Sequence, residues 1–359
     1  MTLHVFNPEH DIALAFNRRH LTMPHAAQEL RMNLGWLPAL WASDGDIVLV
    51  DDVPFAQKAS RRHRRRMSAV TFVGIDDLHR FHPDAVSPWG WDIAICTQLS
   101  EAGVDRQQLP GTDNLSDIRL LSSRRQCTEA LAALRQGVED LTCGQADYMT
   151  TAEGVNAFVE KWQDVVVKAP WSSSGRGVRY IADAAVTTSL QGFIRNTMTR
   201  QGGIMMEPYY NKVKDFGMEF TAHGDGSVTY DGLSLFSTLN GAYTGNLLAT
   251  EEDKTEMLGR YVETALLENV RNKACKYFST LFRNKYAGPF GVDMMIVARG
   301  QGQGFMLHPC VEINLRRTMG HVALALSPED RLQPRKVMTI EHRVNYVLKV
   351  ADQEIKLSE

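Results

Sequence analysis

The chain has 359 residues, 44% of them apolar and 23% charged, and a net charge of −3. That length exceeds one usual domain, and the composition is that of a globular protein with two or three lobes around buried cores. The small net charge excludes binding to nucleic acid or an anionic membrane through bulk attraction, so partners are sought in local sites. The N-terminal residues Met1 to Pro8 lack the basic and apolar regions of a signal peptide, and no run approaches the roughly 18 apolar residues of a membrane span. A cytoplasmic location is therefore expected. The five cysteines are scattered without a C-x-x-C pair, which predicts reduced thiols and no structural zinc.

In chain order, Leu3 to Phe6 reads as a short strand, 26–41 has helical spacing, and Asp46 to Val50 and Asp92 to Cys96 read as buried parallel strands. Such a doubly wound unit takes ligands beyond the carboxyl ends of its strands, which makes Glu9, His10 and Asp11, after the first strand, candidate substrate contacts. They are equally ordinary turn and cap residues. The basic run Arg61 to Arg66 has no interleaved aromatics and is expected to be a solvated face. Trp89 and Trp91 are expected to pack. A loop at Pro110 to Asn114 marks the first boundary. Leu120 to Leu134 reads as helical, and Thr150 with Glu153 forms a capping box for a helix ending near Trp162.

The middle of the chain carries the first constellation. Asp164 to Pro170 is an apolar strand closing on Lys168, followed by Trp171-Ser172-Ser173-Ser174-Gly175-Arg176-Gly177. Glycine and serine let backbone N–H groups and hydroxyls approach phosphate oxygens, with Lys168 as a point charge. Gly203 to Tyr209 is an apolar strand ending in Glu207, and Glu219 lies on the next. Met205 and Met206, of opposite parity, offer apolar walls for a purine or simply core. Further on, Phe290 to Val297 and Met306 to Arg317 read as two strands joined by Ala298 to Gly304, with Asp293 on the first and Glu312-x-Asn314-x-Arg316-Arg317 on the second. Glu312 and Asn314 share one face; alternation puts Cys310 on it as well, but a buried packing cysteine is the expectation there. Oxygen ligands beside arginines suit a magnesium–polyphosphate complex.

No complete Gly-x-Gly-x-x-Gly, Gly-Lys, His-Glu-x-x-His or Gly-x-Ser-x-Gly occurs. The ordered set Lys168, the Ser/Gly loop, Glu207, Glu219, Asp293 and Glu312-x-Asn314 resembles the ATP-grasp superfamily of carboxylate–amine ligases, over about Ser122 to Leu326. The resemblance implies a fold of α/β and α+β type: an N-terminal pre-ATP-grasp-like parallel α/β domain (1–115), then a two-lobed ATP-grasp module (116–335, smaller lobe about 145–222, metal-binding lobe about 223–335), then an extension packing on the core (336–359). It implies ATP and Mg²⁺ as cofactors. Lys168 would hold the α-phosphate and Ser172, Ser173, Ser174, Gly175 and Gly177 would fold over the phosphates. Glu207, with Tyr209 beside it, would meet adenine and ribose, and Glu219 would lie near nucleotide and metals. Asp293, Glu312 and Asn314 would hold magnesium, and Arg316 or Arg317 would clamp phosphate or substrate. Arg124 or Arg125 falls where many members carry another phosphate-binding basic residue. Phe236 to Asn246, with Asn240 and Tyr243, is either a loop near the γ-phosphate and acceptor or a plain hairpin.

The activity so implied is an ADP-forming ligation of a carboxylate to an amine through an acyl phosphate, with small-molecule substrates, no nucleic-acid or membrane partner, and a homodimer as an allowed assembly. A phosphotransferase of the same architecture, or a non-catalytic nucleotide-binding relative, are the alternatives. Glu312→Ala and Lys168→Ala are both expected to abolish ATP turnover with folding nearly intact.

Overall fold

A computed structural model describes residues 1–172, 177–239 and 242–352. The first unit is a parallel sheet of β1 (Thr2–Val5), β2 (Ile47–Leu49), β3 (Thr71–Val73) and β4 (Ala85–Pro88) in the order β3-β2-β1-β4. The connections include α1 (His10–Phe16), α2 (His25–Leu34) and α3 (Val53–Ser60), and α4 (Ile93–Glu101) follows β4. Leu3, Val5, Ile47, Leu49 and Val73 pack with Ile95 and Leu99 in one core. The fourth strand is Ala85 to Pro88, and not the expected Asp92 to Cys96. That segment is the start of α4, because the Asp92 carboxylate accepts from the N–H groups of Ala94 and Ile95 and caps the helix.

The predicted helix from Leu120 is divided. A break at Ser122 to Arg125 separates α5 (Thr112–Leu121) from α6 (Gln126–Arg135), and the break places Arg124. An antiparallel sheet follows, with β5 (Asp147–Met149), β6 (Val165–Lys168), β7 (Val178–Ile181) and β8 (Ile204–Pro208) in the order β5-β8-β6-β7. The helices α7 (Ala152–Trp162) and α8 (Thr188–Gln201) cover it, and α7 is capped by Thr151, one residue beyond the expected Thr150. Met206 belongs to the core of this sheet and Met205 to the neighbouring one, as their parity requires; both are fully buried.

The largest sheet has seven strands: β9 (Lys212–Ala222), β10 (Val228–Leu239), β11 (Ala242–Leu248), β12 (Gly288–Ala298), β13 (Phe305–Asn314), β14 (Lys336–His342) and β15 (Tyr346–Asp352), ordered β13-β12-β9-β10-β11-β14-β15. One face carries Phe216, Met218, Phe220, Phe290, Val292 and Met294, and packs on Val270, Ala274, Phe278 and Phe282 of α10 (Thr264–Phe282), preceded by α9 (Glu251–Gly259). The other face is polar at its centre, where α11 (Met319–Leu326) begins. Residues 236–239 and 242–246 pair as the ends of β10 and β11, and residues 240 and 241 lie outside the described residues. The C-terminal residues add strands to this sheet: Met338 of β14 and Leu348 of β15 share a core with Phe6, Leu34 and Trp36.

The run Arg61 to Arg66 is a short 3-10 turn whose arginines are exposed while His63 stacks on Trp36. Among the described residues no helix is long and apolar enough to cross a membrane.

Candidate functional site

The polar face of the seven-stranded sheet is set by register. Asp293 on β12 lies directly across from Glu312 on β13, and Gly291 across from Asn314. On the other flank β9 places Gly217 against Asp293 and Glu219 against Gly291. Paired residues of an antiparallel ladder project to the same side, so Glu219, Asp293, Glu312 and Asn314 share one face. The register shifts between Asp293 and Met295, which pair with Glu312 and His308, so Cys310 falls inside the irregular stretch of β13, where alternation does not hold. Cys310 is fully buried against Cys127 in the core, a packing cysteine as expected and away from the face that alternation alone gives it.

Crowding these acids together has an electrostatic cost. Burial, then the nearby Glu312 charge, pushes Asp293 up to about 7, and burial followed by Asp293 pushes Glu219 up to about 8. Glu219 Oε2 accepts from the Thr318 hydroxyl at 2.8 Å and stands 3.1 Å from Nδ1 of His321. That nitrogen accepts from the Thr318 N–H at 3.2 Å, so His321 is neutral with its proton on Nε2, and burial pushes its pKa down to about 3. An arriving cation would relieve the repulsion between Asp293 and Glu312, and in that respect the donors fit a hard divalent ion. Among the described residues no group of three His, Cys, Asp or Glu is gathered as a metal site, so the available set is two carboxylates and the Asn314 amide.

Two glycines make room for Glu219. A Cβ at Gly291 would stand 2.5 Å from its Oε2, and one at Gly320 would stand 1.8 Å from its Oε1 and 2.6 Å from Ser234 Oγ. Gly291→Ala is expected to displace Glu219 and cost about 1–3 kcal/mol by overpacking, seen as a lower Tm, and an unchanged Tm would show that the carboxylate can move aside.

Basic groups close the face from three sides. Lys168, at the end of β6, donates to both oxygens of Glu207 on β8 at 2.7 Å and approaches the Val311 carbonyl at 3.4 Å. Arg124 reaches Glu312 Oε1 at 2.5 Å while donating to the Ala169 carbonyl and Ser172 Oγ, both at 2.7 Å. It thus ties the root of the Ser/Gly loop to the acidic strand. The neighbouring Arg125 lies outside this cluster; it is exposed, with its guanidinium 5.4 Å from the Tyr148 ring. Arg316 pairs with Asp11 at 2.9 Å and donates to Asn314 Oδ1 at 2.9 Å. Burial raises the pKa of Asp11, but Arg316, together with His10 and Arg124, holds the carboxyl below the ordinary range. Arg317 stacks over Trp41 at 4.5 Å and donates its N–H to the Trp89 carbonyl, so the two arginines serve different neighbours.

Ser172 and Gly177 face each other at the base of the loop, where a Cβ on Gly177 would meet Ser172 Oγ at 2.2 Å; Ser173, Ser174 and Gly175 lie outside the described residues. Tyr209 is exposed, edge-on to Tyr180. Asn240 lies outside the described residues, while Tyr243 donates to Asn246 Oδ1 at 2.5 Å and Asn246 in turn to Ser234 Oγ at 2.8 Å. His10 is buried against Asp92 at 3.2 Å. Glu9 accepts from Arg31 at 2.8 Å. Sequence reasoning passed over Gly291, Gly320, Thr318 and His321. The run Thr318-Met319-Gly320-His321 is a capping box with histidine in place of the usual acid, a signal that the search for Glu or Gln does not catch.

By sequence the chain matches no family model and no curated protein. Its fold is similar to that of solved structures. N5-carboxyaminoimidazole synthetase from Staphylococcus aureus is 15% identical with a TM-score of 0.51, over 94% of this chain and 82% of that one. The N5-carboxyaminoimidazole synthase from Aspergillus clavatus, solved with ADP and 5-aminoimidazole ribonucleotide, is 13% identical with a TM-score of 0.50, over 94% and 81%. The biotin carboxylase domain of 2-oxoglutarate carboxylase from Hydrogenobacter thermophilus, solved with MgADP, ADP and bicarbonate, is 12% identical with a TM-score of 0.50, over 94% and 74%. With a parallel N-terminal sheet, a small antiparallel lobe and a large sheet bearing the acidic face, this chain has the ATP-grasp fold.

Proposed function

We propose that the protein is an ATP- and Mg²⁺-dependent ligase that joins a small carboxylate to an amine through an acyl phosphate. The observation that carries the reading is the direct pairing of Asp293 with Glu312 on a face to which Lys168 brings positive charge from the small lobe and Arg124 from the break between α5 and α6. In this reading residues 1–115 contact substrate, residues 116–335 hold the nucleotide, and residues 336–359 support them. The solved neighbours with ADP or MgADP bound support a nucleotide as ligand.

Asp293, Glu312 and the Asn314 amide oxygen would hold Mg²⁺, which when bound neutralises phosphate charge. Lys168 and Arg124 exchange their present carboxylate partners for phosphate oxygens, and Glu207 then turns to hydroxyl or amine donors of the nucleoside. The loop from Ser172 to Gly177 covers the phosphates and excludes water. A substrate carboxylate oxygen attacks the γ-phosphorus and the bond to ADP breaks. The amine nitrogen then attacks the acyl carbon, inorganic phosphate leaves, and the nitrogen gives up its proton. Arg316, held by Asp11, orients the oxygen on which charge builds. The protein supplies position and electrostatics and no nucleophile of its own.

The experiment is ADP release from Mg·ATP against pooled amino acids, dipeptides and small carboxylic acids. Release that needs both an acid and an amine, and stops when Mg²⁺ is chelated, is the expected result. Release with an acid or alcohol alone and a phosphorylated product would convert the reading to a phosphotransferase, and failure to bind Mg·ATP would end it.

A further inference from the structure

Helices α4 and α5 line a cavity of about 690 Å³, to which the end of α1 adds Leu14 and Asn17. That volume falls within the ~300–1,000 Å³ of small-molecule sites. Ile93, Cys96 and Ser100 come from α4, and Thr112, Ser116 and Arg119 from α5, spacings that put each trio on one helical face. None of the residues of the acidic face lines this cavity.

Arg119 is the cation fixed on that wall. Its Nε donates to the Leu14 carbonyl at 2.8 Å, and Leu14 itself lines the cavity. Its guanidinium lies 3.9 Å over the ring of Trp171, whose Nε1 donates to the Arg119 carbonyl at 2.9 Å. Nη1 and Nη2 have no hydrogen-bond partner among the described residues, and neither is shut off from solvent. No acid offsets the burial that lowers the pKa of Arg119. The two acids of the cavity are engaged elsewhere: Asp92 caps α4 and faces His10, and Glu101 stands 3.8 Å from His20. A planar guanidinium held in place with free terminal N–H groups is pre-organised for the two oxygens of a carboxylate. A phosphate dianion would call for a second fixed cation, and the other arginines of the cavity, Arg19 and Arg106, are exposed with no anchoring side-chain contact among the described residues.

We propose that this cavity binds a small organic carboxylate, its oxygens accepting from Nη1 and Nη2 of Arg119 and its apolar part lying against Ile93 and Leu115. That the carboxylate belongs to a substrate rests on the ligase reading above; the binding does not. Saturation-transfer NMR on the full chain without nucleotide tests the binding separately, using a pool of aliphatic, hydroxy and amino acids, a pool of their primary amides and a pool of phosphate monoesters of matched shape. Carboxylates should show transfer, amides none, and phosphate esters less than the carboxylates. Arg119→Met keeps an apolar stem over Trp171 and, verified as folded by its cooperative melt, should raise the Kd of a responding carboxylate by about tenfold or more. Ser116→Phe, at an exposed position on the same helical face, fills the cavity without touching the guanidinium and should remove the signal as well. No transfer from any carboxylate, equal transfer from the amides, stronger transfer from the phosphate esters, or binding that survives in either variant would overturn the proposal whether or not the protein turns over ATP.

Discussion

Glu312→Gln is expected to reduce ATP turnover by about 10³-fold or more with little loss of stability. The carboxylate is one of three on the acidic face and one of the two in the proposed ligand set, so removing its charge takes away a large share of the negative potential available to a divalent ion there. Losses of 10²–10³ are ordinary for one electrostatic contact to developing charge, and a metal ligand should exceed them. The fold should tolerate the change because the Glu312 side chain is 29% exposed and the glutamine amide keeps an oxygen for Arg124. Steady-state ADP release and a melting curve on the same preparation check both halves. Turnover within tenfold of the parent would remove Glu312 from the metal site.

Lys168→Ala should also abolish turnover, but the structure changes the expectation that folding is spared. Lys168 and Glu207 are 9% and 4% exposed at their side chains, and the ammonium is shared between both carboxylate oxygens at 2.7 Å. Taking away one member of such a pair leaves an uncompensated buried charge, which costs about 3–5 kcal/mol. A fall in denaturant midpoint of that size is expected for Lys168→Ala, with much of it regained in Lys168→Ala/Glu207→Gln, where the orphaned charge is gone. Full stability in the single variant would mean that the pair is hydrated and that Lys168 contributes to nucleotide binding alone.

Strand parity made the acidic face legible in the sequence. Alternation puts Glu312 and Asn314 on one face, and the ladder brings Asp293 of the neighbouring strand into register with Glu312. Alternation fails where the ladder slips, so Cys310, on the Glu312 side by parity, lies in the core as the packing cysteine expected there. The Ile93 to Cys96 stretch is apolar enough for a strand, and only the carboxylate of Asp92, by binding two N–H groups, makes it a helix. Arg124 and Arg125 are indistinguishable as letters; the break between two helices aims one at Glu312 and the other outward. The room that Gly291 and Gly320 leave for Glu219 is a three-dimensional fact with no one-dimensional trace.

The hairpin at residues 336–352 has a consequence for assembly of the chain. Tyr346 donates its N–H to Asn33, 313 positions earlier, and Leu348 and Met338 complete the core begun by Phe6, Leu34 and Trp36. During synthesis the first sheet must therefore wait, one apolar flank uncovered, until those late strands emerge. So distant a closure is expected to slow maturation and to lengthen the interval in which that flank is open to stray association, which refolding rates with and without residues 336–359 would check.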